Sequence, residues 1–94
     1  MRALADPLRI RIVSLLAREA LCTCHLVDET GARQTNISNH LRALREAGLV
    51  EAEPCGRFTY HRLRPQALET LAGEIGTLAE AARDAYTADR RRPC

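Results

Sequence analysis

Hydrophobic periodicity changes once in this chain, at Gly48, and the residues on either side leave few folds open. Before Gly48, Ile37, Leu41 and Leu44 recur at i, i+4 and i+7 with His40 and Ala47 beside them, which predicts a helix from about Gln34 to Ala47 closed by that glycine. After it, Leu49 to Glu53 and Arg57 to Leu63 read as two short strands around a Pro54-Cys55-Gly56 turn, with the β-formers Phe58, Thr59 and Tyr60 in the second. The apolar stripe of the helix must face a core. Its opposite side carries Gln34, Thr35, Ser38, Asn39, Arg42 and Arg45, whose donors and acceptors have the reach needed for base edges and phosphates.

The upstream segments supply the rest of a small domain. Asp6-Pro7 is an N-cap followed by a proline suited to the first helical position, and Leu8, Ile12, Leu15 and Leu16 follow at helical spacing. Ile10 and Val13 widen that surface, so this helix is expected to be buried on most sides. A shorter helix is expected around Leu21 to Thr30, closed by Gly31. Two helices joined by a short turn containing Gly outline a helix-turn-helix, and a hairpin directly after the second is the wing of a winged helix. From Pro65 to about Tyr86, the residues Leu68, Leu71, Ile75, Leu78 and Ala82 trace an apolar stripe on a long helix. A chain of 94 residues buries little by itself, so the stripe is expected to be a dimer contact; the alternative is packing on its own core. The expected fold is mainly α with a small β-hairpin, a homodimeric winged helix-turn-helix spanning residues 1–86, with residues 87–94 as a flexible Arg-rich tail.

All 14 basic residues are Arg, and residues 31–64 carry six of them against three Glu. Arg favours bidentate contacts to phosphates and base edges, whereas the formal charge of +2 is too small to identify a nucleic-acid partner alone. No apolar stretch approaches the roughly 20 residues that span a bilayer, and the Arg-punctuated amino terminus is not expected to act as an export signal. A cytoplasmic protein without membrane contact is expected, and reducing surroundings leave its four cysteines as thiols. The sequence lacks a Gly-rich phosphate loop and a nucleophile paired with a base, so no enzymatic activity is expected.

The segments LADPLRIRIVSLL, QTNISNHLRALREAGLV and GRFTYHRL, in this order and at these separations, resemble the ArsR/SmtB family of winged-helix repressors. The likeness runs from Arg2 to about Ala85 and is most specific at Ser38-Asn39-His40-Leu41 and at Leu44 to Val50. It implies a homodimer that sits on double-stranded operator DNA until an inducer, often a thiophilic metal ion or metalloid, binds. It also implies that Gln34, Thr35, Ser38 and Asn39 face the major groove, with Arg42 on the same polar face and Arg57 reaching from the wing. Arg33 stands where the family commonly has Ser, so the usual helix cap is expected to be missing or supplied by another residue.

Leu21-Cys22-Thr23-Cys24-His25-Leu26 resembles the family's metal-sensing signature, ELCVCDL. Residues two apart in mid-helix point about 200° away from each other and cannot share an ion. The restriction relaxes at a helix start, where Cys22 is expected to be the N-cap and His25 the third helical residue. A thiol there gives up cap energy of about 1 kcal/mol, while the helix N-terminus favours the thiolate.

The resemblance implies a three-thiolate site for arsenite or antimonite. The place that would complete a local trio is Val27, so a third ligand is expected from elsewhere, Cys94 ahead of Cys55 or a segment preceding Met1. His25 offers a nitrogen donor suited to zinc, cadmium, nickel or cobalt. A repressor of divalent ions, lead included, and a thiol redox sensor are the alternatives, along with an interaction domain that does not bind DNA. His40 is expected in helix packing and His61 as an exposed strand residue. With no His between Pro65 and Tyr86, the family's second type of metal site is expected to be absent.

Overall fold

Asp6 opens the first helix as its neighbours predict. In the computed structural model, which describes residues 6–93, Asp6 Oδ1 accepts hydrogen bonds from the N–H groups of Leu8 at 2.8 Å and Arg9 at 3.3 Å. Seven elements follow: α1 (Pro7–Leu16), β1 (Leu21–Cys22), α2 (Thr23–Thr30), α3 (Gln34–Glu46), β2 (Val50–Cys55), β3 (Phe58–Leu63) and α4 (Pro65–Thr87). Helix α2 ends on Gly31 at φ 71°, the left-handed position that favours glycine. Ile12, Leu26, Ile37, Leu41 and Leu44 are fully buried, and Leu16, Leu49, Val50 and Leu63 complete the core around them. This is the winged helix-turn-helix that the change of period at Gly48 points to, four helices with a small antiparallel sheet.

The structure corrects several expectations. Leu21 and Cys22 are not helical but form a strand antiparallel to β3, with Leu21 opposite His61 and Cys22 opposite Tyr60. The sheet order is therefore β1-β3-β2, with β3 in the centre. Pro54 and Cys55 belong to β2 rather than to the turn, which Pro54 tolerates because β2 is an edge strand. The turn is Gly56-Arg57; Gly56 has φ 62° and Arg57 does not, the pattern of a two-residue hairpin with glycine first. Of α1, only Ile12 and Leu16 are buried and Ile10 is 42% exposed, so the helix is covered on one side only, by α2 and β3.

Helix α4 leaves the domain. Ala67 and Leu68 pack against the core, but no residue of the helix is buried, and Ile75, Leu78 and Tyr86 are exposed. At ~1.5 Å per residue its 23 residues extend well past the body of the domain, whose cross-section is 25 × 20 Å. The radius of gyration is accordingly 17.3 Å, against about 12 Å for a compact chain of this length. Beyond Leu68 the stripe therefore does not fold back on its own core.

His61 is buried, 4% exposed, not open to solvent as its place in the sequence suggested. Being in the central strand, it shares the core-facing side with Leu63. Its Nε2 lies 3.2 Å from the Thr23 hydroxyl, and its Nδ1 has no partner among the described residues. Burial, with Arg45 adding repulsion, holds its pKa below the ordinary imidazole value. A histidine lowered in this way is neutral in the fold, while the unfolded chain takes up a proton below about pH 6.5. Stability is thus fully present above that value and is lost as the pH falls through it, by at most about 1.4 kcal/mol per pH unit for one proton. Urea unfolding at pH 7.5 and pH 5 should show this decline, and His61→Gln, which cannot titrate, should flatten it.

Candidate metal centre and nucleic-acid interface

Cys22 is the N-cap of α2 and has an extended backbone, φ −85° and ψ 167°. It therefore lies off the helical spiral on which Cys24 sits, and the two sulfurs converge instead of diverging. The sulfurs of Cys22 and Cys24 and a ring nitrogen of His25 all lie within 4.8 Å of one another. Cys22 N–H donates to His25 Nδ1 at 3.3 Å, and Cys22 Sγ is 3.2 Å from the same nitrogen while facing the His25 backbone N–H. This is a capping box made from Cys and His instead of the usual Ser and Glu. Cys22 is buried; Cys24 and His25 are exposed, and the Tyr60 ring of β3 stands 6.4 Å from that of His25.

The two thiols differ electrostatically. Burial alone pushes the Cys22 thiol up, but hydrogen bonds from the Cys24 thiol and from the backbone amides of residues 22, 24 and 25 bring it below the ordinary value. The Cys24 thiol is raised, first by that bond to Cys22, then by desolvation and by the Cys22 charge, with only the His25 amide opposing. Cys22 is the more readily formed thiolate, and a soft ion would displace the second proton as it binds. Two sulfurs and an imidazole suit thiophilic ions and borderline divalent ones rather than Mg²⁺ or Ca²⁺.

Cys22, Cys24 and His25 are the only such cluster among the described residues. Cys55 is exposed at the far end of β2 and outside it, while Cys94 lies outside the described residues. Sequence reasoning weighed His25 but did not see Thr23 and His61 joining the same helix start to the sheet. The alternation of His61 with Leu63 was the available signal.

The polar face of α3 is presented to solvent. Gln34, Thr35, Asn39 and Arg42 are exposed and Ser38 is half-buried. Arg33 makes no side-chain cap bond and the helix begins at Gln34. His40, half-buried, accepts from Arg9 Nε at 3.1 Å and ties α3 to α1. Arg57 stands exposed at the wing turn. No described helix is long and apolar enough to cross a membrane.

Residues 6–52 match the family described as bacterial regulatory protein, arsR family. The arsenic resistance transcriptional regulator ArsR1 of Pseudomonas putida is 34% identical over 97% of this chain and 72% of its own length. A transcriptional repressor SmtB homolog of Synechocystis is 38% identical over 78% of the chain, which spans only 55% of that protein. Among solved structures, a possible transcriptional regulator for arsenical resistance superposes with a TM-score of 0.79 at 36% identity, covering 97% of this chain and 95% of that one. A homodimeric winged helix-turn-helix DNA-binding domain from Mycobacterium bovis does so with a TM-score of 0.69 at 28% identity, covering 99% and 82%.

Proposed function

The chain belongs to the arsR family of bacterial regulatory proteins, and on that premise we propose a cytoplasmic repressor that binds operator DNA as a homodimer and is released when Cys22 and Cys24 bind trivalent arsenic or antimony. The observation that carries this is the convergence of the two sulfurs at the first turn of α2, the helix packed against α3. An ion drawn between them pulls on the seat of the helix whose outer face, Gln34, Thr35, Ser38, Asn39 and Arg42, is read here as the major-groove surface. Arg57 reaches the adjacent backbone or minor groove from the wing. The unburied stripe of α4 supports a dimer contact, as does the homodimeric relative. Cys94 is the proposed third thiolate, reaching across that dimer.

A second reading, a divalent ion such as cadmium, lead, zinc, nickel or cobalt, is favoured by one observation. His25 Nδ1 already stands 3.2 Å from Cys22 Sγ, so a mixed sulfur and nitrogen set is in place.

The test is fluorescence anisotropy on a duplex selected from a random pool by the wild-type protein. Arsenite should weaken binding about 5- to 150-fold, a coupling of roughly 1–3 kcal/mol. Cys22→Ser with Cys24→Ser should hold the duplex equally well at every arsenite concentration. Release that survives in the double variant removes the thiolate pair from the mechanism. A response to cadmium but not arsenite, abolished by His25→Ala, selects the divalent reading.

A further inference from the structure

Two clefts flank the start of α2, one lined by His25 and the other by the two thiols, and they differ in charge. His25 opens on a cleft of about 370 Å³ where Glu19, Asp28 and Glu29 outnumber Arg18. Cys22 and Cys24 line another, of about 260 Å³, together with Gln34 at the start of α3 and Arg57 and Phe58 at the wing turn. The first suits a cation. The second is lined by Arg57, Gln34, Thr23 and Thr59, with no acidic residue.

Arsenite bound by two thiols is not a bare cation. As(OH)₃ and two thiols give a dithiolate that keeps one As–OH: two As–S bonds form, two As–O bonds break, the thiol protons leave in two waters, and arsenic stays trivalent. The oxygen that remains is an acceptor seeking donors. We infer that Gln34 and Arg57 hold this oxygen, so that inducer and operator compete for the same two side chains. The inference rests on the arsenite reading above, in the state where Cys22 and Cys24 alone have bound and the third thiolate, Cys94, has not displaced the remaining hydroxyl, and on the assignment of Gln34 and Arg57 to DNA. Arg is suited to the role because its guanidinium is always charged and offers five donors in a fixed fork, and hydrogen bonds to charged groups are the strong ones. Release then follows from withdrawal of contacts at the duplex, in addition to any movement of α2.

The experiment is done without DNA, by following the sulfur–arsenic absorbance during titration of the full chain carrying Cys94→Ser, in which two thiols bind and the hydroxyl stays on arsenic. Gln34→Ala with Arg57→Ala, both at exposed positions, should weaken arsenite binding at least about tenfold, the scale of one lost hydrogen bond to a charged partner. Phenylarsine oxide, whose third valence is carbon, should bind wild type and variant alike. Unchanged arsenite affinity in the variant overturns the inference, as does equal weakening of both probes, which would mean that the thiols themselves had been disturbed. Absence of arsenite binding by wild type, or binding that survives Cys22→Ser with Cys24→Ser, overturns the thiolate reading itself and is told apart by those two controls.

Discussion

Leu26→Ala is expected to lower the unfolding free energy by about 2–5 kcal/mol, a large part of the roughly 5–15 kcal/mol that holds a typical domain together. Leu26 is fully buried in the middle of α2, among a core assembled from α1, α3 and the sheet. Removing three carbons there leaves a cavity that rigid neighbours fill only in part, so lost packing adds to lost transfer energy. Helix α4 offsets little of this, because only Ala67 and Leu68 at its start pack against the core and neither is fully buried. Leu26 also lies one turn beyond Cys22, so the variant should loosen the seat of the metal cluster. Chemical denaturation at fixed protein concentration measures the first effect, and a loss below about 1 kcal/mol would mean that α2 is less tightly held than its burial indicates.

Operator binding should depend steeply on salt. A protein neutralising 6–10 phosphates loses about 10³–10⁵ in affinity between 50 and 200 mM salt, because counterions released from DNA gain entropy. Arg42 and Arg57 are exposed on the proposed DNA side, joined there by Arg33 and Arg45, and a dimer presents the set twice. Arg42→Ala should lower the logarithmic salt slope by about one for each protomer that contacts phosphate through it. Anisotropy across a salt series supplies both values. A flat dependence would favour an interaction domain that binds no DNA and would leave the thiol cluster as a metal site without a repressor.

Much of the fold was legible because its signals are local. Asp6 caps α1 through atoms two and three residues away. Ile37, Leu41 and Leu44 are the buried residues of α3, as their spacing requires. Cys22 is the N-cap of α2 and His25 its third residue, as the pattern around them indicated. The errors share a cause. Starting the helix around Leu21 with no strand before it, leaving His61 in solvent and burying Ile10 all depended on which distant element lay alongside.

What the sequence determined alone was the order of the four helices and the hairpin, the caps at Asp6, Cys22 and Gly31 and the placing of two thiols at a helix start, since each rests on interactions within a turn or two of chain. Only the tertiary structure decided that β3 has a second neighbour in β1, that His61 is sealed against Thr23, and that Gln34 and Arg57 share a cleft with the sulfurs. Thr23 and His61 are 38 residues apart. Burial and convergence of that kind are set by partners remote in the chain, which no local pattern of hydrophobicity or spacing encodes.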